Sequence, residues 1–225
     1  MKRVLVLRPE PGATATVDRA RERGLDAVAM PLFEVDPVEW PVPDPAEFDG
    51  LLLTSANALR HGGEGLQALR ALQVYAVGEA TARMARETGF DVTSIGEGGV
   101  ERLLDAIDAG LRLLHLTAED RIRANARQKI TEITVYRSRE LPNPGEIPRE
   151  CVALIHSPRA GRRLAELVEK RRRIAIAAIS AQAAEAVGRG WLSVDAAATP
   201  SDEALLALAE RLCNKRQVDE RHGHP

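Results

Sequence analysis

Aromatic residues are scarce in this chain. Two Trp, two Tyr and three Phe make up 3% of its 225 residues. The core must therefore be aliphatic, and RNA-binding modules that stack bases on exposed rings are disfavoured. Cysteine is as rare. Cys151 and Cys213 are too few for a disulfide framework or a thiolate metal cage, and they read as small buried apolar side chains. An excess of one charge is also missing. The formal net charge of -2 argues against a general nucleic-acid binder. It leaves room for a small polyanionic ligand, which local arginines and backbone amides can hold. No apolar run approaches the roughly 20 residues of a membrane span. The apolar part of the opening MKRVLVLRPE is too short for a secretion signal. A cytoplasmic protein that binds neither membrane nor nucleic acid is expected. The nucleophile-elbow, phosphate-loop and dinucleotide glycine fingerprints are absent from the sequence. Gly96–Gly99 is glycine-rich but lacks the spacing of a cofactor loop.

What is present is an alternation. Short apolar runs (Val4–Leu7, Ala27–Met30, Leu51–Leu53, Val74–Val77, Leu111–Leu116, Ile133–Tyr136, Val152–Ile155, Ile174–Ile179) are separated by amphipathic stretches. Helices are predicted over Thr14–Arg23, Ala56–Leu72, Glu79–Thr88, Val100–Ala109, Glu119–Ile130, Pro158–Lys170, Ala181–Gly188 and Ser201–Cys213. Continuous apolar strands between amphipathic helices predict an α/β protein whose parallel sheet is covered on both faces.

The chain also repeats itself. Leu51–Arg60 (LLLTSANALR) returns 102 residues later as Ala153–Arg162 (ALIHSPRAGR), and Tyr75–Ala82 falls at the same offset on Ala177–Ala184. One spacing held over separate segments argues for a duplicated unit. Two similar units create a cleft, where ligands bind. Two proline-rich stretches, Glu34–Phe48 and Arg139–Arg149, interrupt the alternation and cannot be central strand or regular helix. They suggest a discontinuous domain of residues 1–35 plus 140–213 and a second domain of 40–132. The linkers are placed at about 34–40 and 132–140, and residues 214–225 are expected to form a flexible tail. His222 and His224 lie in that tail and carry little weight as metal ligands.

Several residues stand where parallel-sheet proteins bind ligands. Ser55 and Ser157 end strands just before helices, where unpaired N–H groups and the helix dipole favour anions. Simple N-capping is the alternative. Asn57 adds an amide in the first of these turns. Gly78 opens the next turn and lets backbone approach a ligand, and Thr81 follows in the first turn of that helix. Arg8, ending the first strand, is either a carboxylate partner or a structural ion pair. His61, His115 and His156 have no spacing that suggests a shared metal. His115 sits inside an apolar run and is expected to be a satisfied core residue, whereas His156 precedes Ser157 and is a candidate substrate contact. The basic run Lys170–Arg173 is expected to favour the negative end of the helix before it.

With these features assembled, the chain resembles the uroporphyrinogen-III synthase family. The resemblance rests on VLVLRPEPG at Val4–Gly12, LLLTSANAL at Leu51–Leu59, AVGEATA at Ala76–Ala82 and LLHLTAEDR at Leu113–Arg121. ITVYRS at Ile133–Ser138, ALIHSPRAG at Ala153–Gly161 and PSDEALL at Pro200–Leu206 follow in the family's order. It implies two flavodoxin-like parallel-sheet domains joined by a two-stranded linker. It further implies closure of hydroxymethylbilane, a linear polycarboxylate tetrapyrrole, to uroporphyrinogen III, with inversion of ring D and loss of water. The resemblance implies no metal or organic cofactor. It makes Tyr136 the candidate proton donor for hydroxyl departure, and packing against the crossover the alternative. Arg8, Ser55, Asn57, Gly78, Thr81, His156, Ser157 and Ser180 are the candidate substrate contacts. The second copy departs from the family, with Ser180 and Ala183 standing opposite Gly78 and Thr81. A monomer is expected, in transient contact with the enzyme that makes hydroxymethylbilane. The competing reading is a non-catalytic two-domain α/β protein that binds tetrapyrroles or small anions.

Overall fold

A computed structural model describes residues 2–120 and 125–219. The chain runs through β1 (Arg3–Val6), α1 (Gly12–Glu22), β2 (Ala27–Ala29), β3 (Phe33–Pro37), β4 (Gly50–Leu53), α2 (Ala56–His61), β5 (Val74–Val77) and α3 (Glu79–Glu87). It continues with β6 (Val92–Gly96), α4 (Val100–Ala106), β7 (Arg112–Ala118), β8 (Lys129–Glu140), β9 (Cys151–Ile155) and α5 (Pro158–Leu167). β10 (Ile174–Ala178), α6 (Ala181–Ala186), β11 (Ser193–Ala196) and α7 (Asp202–Asp219) complete it. Two compact units result. One takes in the chain through Glu34 and from Glu140 onward, and the other is Val35–Arg139.

The first unit holds a five-stranded sheet in the order β11-β10-β9-β1-β2, parallel throughout. Alternate residues of each strand face opposite sides. Val4, Val6, Val152, Leu154, Ala175 and Ala177 pack with Val17 of α1 and Leu205 and Ala209 of α7. Their neighbours Leu5, Ala153, Ile155 and Ile176 pack on the other face with Leu164 of α5 and Ala183 of α6. Strands apolar at every position are what a sheet covered on both faces requires. Each fully buried leucine in it contributes roughly 1.5–3 kcal/mol.

The second unit holds a six-stranded sheet, β3-β8-β7-β4-β5-β6, parallel from β8 to β6. Leu51, Leu53, Leu114 and Leu116 face α2 and α3, while Leu52 and Leu113 face Leu103 and Leu104 of α4. The order β8-β7-β4-β5-β6 repeats β2-β1-β9-β10-β11 with β4 in the place of β9 and β5 in that of β10. These are the segments related by the 102-residue echo. The strands equivalent to β1 and β2 come last in the second unit, so the repeat is shifted along the chain as well as duplicated.

Several sequence expectations are corrected. The helix predicted over Ala56–Leu72 stops at His61, and a 3-10 helix follows over Gly63–Leu69. Gly63 has φ +63, in the left-handed region that suits glycine. The predicted helix Glu119–Ile130 is absent from its described part. Lys129 and Ile130 instead open β8, in register with Arg112 and Leu113. Residues 121–124 of that prediction lie outside the described residues. Strands β3, β6 and β11 have no apolar run to announce them. All three lie at sheet edges, and their burial is partial. The stretches at 34–40 and 132–140, expected as a two-stranded linker, are not among these corrections: they hold most of β3 and of β8, which lie side by side. α7 runs on past Cys213 to Asp219, into the stretch expected as a flexible tail, while residues 220–225, including His222 and His224, lie outside the described residues. Among the described residues no helix is long and apolar enough to cross a membrane.

Both cysteines are buried and free, and burial pushes the Cys151 thiol up to about 12. In a thiol titration at pH 8, neither should react until the protein is unfolded, because the thiolate is the reactive form. Fast labelling of the native protein would contradict this packing.

Candidate functional site

In a parallel sheet all carboxyl ends emerge at one edge, and ligands bind there where neighbouring strands send their connections opposite ways. In the first unit this point lies between β1, which connects to β2, and β9, which connects to β10. Arg8 follows β1, while His156 and Ser157 follow β9. Ser157 is extended and its Oγ accepts from the Ala160 amide at 3.2 Å, capping α5. Pro158 at the first helical position removes one amide from that turn. Ser180 after β10 caps α6 in the same way, accepting from Ala183 at 3.2 Å. The capping reading of both serines is realised, with their hydroxyls turned to the helix.

Asp202, in the first turn of α7 and not singled out by the sequence, organises this edge. Its carboxylate accepts from Thr16 Oγ1 at 3.1 Å and from Arg19 Nε at 3.0 Å, and His156 Nε2 lies at 2.9 Å. Arg8 Nη1 stands 3.6 Å away. The ion-pair reading of Arg8 is thus realised. Gly12 makes it possible, since a Cβ there would sit 2.6 Å from Arg8 Nε. His156, expected as a substrate contact, is instead buried behind Asp202, with its side chain only 7% exposed. Burial holds its imidazole below the usual value against the opposing pull of Asp202. Burial would raise the Asp202 carboxyl, but the bonds from His156 and Arg19 prevail and keep it well below the usual carboxylate range. A neutral imidazole donating from Nε2 to an ionised carboxylate fits both directions. Nδ1 is buried, with no geometric hydrogen-bond partner among the described residues, although the Leu154 backbone nearby pulls the imidazole upward. Sequence reasoning missed Asp202 because its partners lie 46 residues or more away.

In the second unit Ser55 caps α2, accepting from the Asn57 amide at 3.2 Å. Asn57 Oδ1 accepts from Arg60 at 3.0 Å. Gly78 opens α3 with φ +79, and a Cβ there would meet nothing within 4 Å. Glycine is therefore required by the backbone angle, and the space above the turn is open. Thr81 is buried under it. His115 is the satisfied core residue expected, with Nε2 3.1 Å from Thr54 Oγ1 and Nδ1 3.8 Å from Glu132. It thereby fixes the end of β4 just before Ser55.

Tyr136 pairs with Ala118 at the carboxyl end of β7, so it stands at the same edge as Ser55 and Gly78. Its ring belongs to the apolar cluster of Leu53, Ala58 and Leu116, and it lies 6.1 Å from the His61 ring. Among the described residues its hydroxyl has no hydrogen-bond partner. Burial and the charge of Arg60 lower the His61 imidazole, against an opposing effect of Asp36. The sequence reading weighed His61 only as a metal ligand and did not foresee this placement. Among the described residues no group of three His, Cys, Asp or Glu is arranged to hold a metal ion.

The chain has known relatives. A family model described as uroporphyrinogen-III synthase HemD matches residues 14–207. A uroporphyrinogen-III synthase from Chlorobaculum parvum is 35% identical over 101 residues, 41% of this chain. The match spans 41% of that relative's length. The crystal structure of uroporphyrinogen-III synthetase from Helicobacter pylori covers 94% of the chain and 100% of its own, at 19% identity and TM-score 0.70. A mutant uroporphyrinogen III synthase from Thermus thermophilus covers 96% and 100%, at 18% identity and TM-score 0.58. At these identities the two structures speak for the fold, a mixed α/β architecture with parallel sheets. Membership rests on the family model, which takes in most of α1, the turns at Ser55, Gly78, Ser157 and Ser180, Tyr136 and Asp202, while Arg8 precedes the matched span. On that match the chain belongs to the uroporphyrinogen-III synthase family.

Proposed function

We propose that the chain closes hydroxymethylbilane to uroporphyrinogen III, inverting ring D and releasing water. The observation that carries the reading is the family match over residues 14–207. The strand order supports it. Both units follow the pattern 2-1-3-4-5 of flavodoxin-like sheets, the second in shifted register. In this reading the protein is two flavodoxin-like domains, joined by a two-stranded linker over about 34–40 and 132–140. It works as a cytoplasmic monomer and meets its supplier only transiently.

The chemistry asks little of reactive side chains. Protonation of the hydroxymethyl oxygen breaks its C–O bond and releases water, leaving a cation stabilised by the adjoining pyrrole. Ring D attacks through its substituted carbon, and the spiro product fragments and recloses with ring D inverted. Loss of a proton restores aromaticity. Tyr136 is the proton donor in this proposal, because its phenol stands at the carboxyl edge with no hydrogen-bond partner among the described residues. The substrate's carboxylates are held by the turns at Ser55–Asn57, Gly78–Thr81, Ser157 and Ser180. The open space above Gly78 and the capped helix starts support that role. Arg8 provides fixed positive charge, anchored by Asp202 with His156 beside it. Holding a flexible chain so that direct closure loses is a positioning effect, worth several kcal/mol.

The test is the product isomer. Given enzymatically generated hydroxymethylbilane, the protein should yield isomer III. Isomer I alone, the uncatalysed outcome, would leave a non-catalytic binder in its place.

A further inference from the structure

The basic run Lys170–Arg173 serves the helix end, as its sequence suggested, through Arg171 alone. α5 stops at Leu167, and within the run only Arg171 reaches it, donating to the carbonyls of Ala165 and Val168. Arg171 also lies over the Trp191 ring at 5.1 Å and donates to the Arg189 carbonyl at 3.4 Å. It thus ties the turn before β10 to the turn before β11. The result is a cavity of about 740 Å³ in the first unit, at the amino ends of β9, β10 and β11. This edge is opposite the one that carries Arg8, Ser157 and Ser180.

Six cationic side chains line the cavity: Arg149, Lys170, Arg171, Arg172, Arg173 and Arg189. Glu169 is the one acid in the lining, and outside it Glu150 neutralises Arg173 at 2.5 Å. Among the described residues the side chains of Arg149, Lys170, Arg172 and Arg189 have no acidic or hydrogen-bond partner. Like charges gathered in this way repel one another unless an anion joins them. The chain as a whole is slightly acidic, so the cluster is not a sample of its average surface. The volume falls in the range of small-ligand sites, roughly 300–1,000 Å³. Guanidinium forks match phosphate and carboxylate oxygens two at a time. Concavity on this scale favours a compact ligand over a flat macromolecular surface.

We infer that this cavity is a second anion site, which takes a compact small molecule bearing two or more phosphate or carboxylate groups. It is separate from the proposed reaction edge and does not depend on the synthase reading. Titration calorimetry of the full chain with pyrophosphate and with citrate tests it, and acetate serves as the singly charged control. Saturable one-to-one binding of pyrophosphate or citrate is expected, and it should weaken by about tenfold or more in the Arg172→Glu/Arg189→Glu variant. These exposed side chains make no contact that folding requires, so the variant should melt with the wild type and still form isomer III at the wild-type rate. Pyrophosphate tighter than citrate would assign phosphate, and the reverse carboxylate. The inference fails if neither polyanion binds, if acetate binds as well as they do, or if the variant binds undiminished. Binding of an acidic peptide such as hexaglutamate without binding of either small polyanion would also overturn it, in favour of a protein partner.

Discussion

Replacing Tyr136 with Phe should slow formation of isomer III by about 10²-fold or more, since a positioned general acid typically contributes ~10²–10⁴-fold. The substitution removes one oxygen and leaves the ring in the cluster of Leu53, Ala58 and Leu116. That oxygen has no hydrogen-bond partner among the described residues, so the melting temperature should stay near the wild-type value. The two readouts separate the roles. A packing role predicts unchanged turnover, whereas a donor role predicts a fall in kcat with KM largely kept. Spontaneous closure competes for substrate as the enzyme slows, so the share of isomer I should rise in the same assay. Wild-type turnover by the variant would remove Tyr136 from the chemistry and leave the fold and family assignment as they are.

Central strands were legible because a strand buried on both faces must be apolar at every position, as Leu51–Leu53 and Val152–Ile155 are. The edge strands β3, β6 and β11 were not, because an edge bonded on one side carries polar and half-exposed residues. The repeat was legible as an offset, and the likeness of Gly24–Met30 (GLDAVAM) to Lys129–Tyr136 (KITEITVY) already pairs β2 with β8, but the strand order that completes the shift lies in packing rather than in residue identity. At the site, the strand-end serines and Gly78 announced themselves by position in the α/β alternation. His61 and Asp202 did not. The first gains its meaning from the Tyr136 ring, which a distant strand supplies. The second gains its meaning from Thr16, Arg19 and His156, which meet only once α1, β9 and α7 have packed.

Asp202 accordingly offers the larger test of stability. An Asp202→Ala variant should lose about 2–3 kcal/mol at pH 7, since charge-assisted hydrogen bonds contribute ~1.5–3 kcal/mol each and the half-exposed arginines recover part of theirs in water. In a protein of this size that lowers the melting temperature on the order of 5–10 °C. The pH dependence gives the mechanism. The Asp202 carboxyl is lowered in the folded state, so its contribution is present above the ordinary value of 3.8 and fades as pH falls below it. The gap between wild type and variant should therefore be wide at pH 7 and narrow below pH 3.8. His156 is also lowered, so the native state loses stability as pH drops below 6.5, where the unfolded imidazole takes up a proton that the folded one resists. Without the carboxylate, burial and Arg8 depress His156 further, so the variant's decline begins at the same pH but extends lower, and the gap first widens below pH 6.5 before the fading of the Asp202 contribution narrows it below 3.8. Asp202→Asn keeps the acceptor for Thr16 and His156 while losing the charge, and should fall between the two. If Arg8 acts on the substrate as proposed, both variants should raise KM more than they lower kcat, because the residue freed is a binding group. A gap between wild type and Asp202→Ala that does not narrow as pH falls further below 3.8 would show that the carboxylate is not ionised and does not hold this edge together.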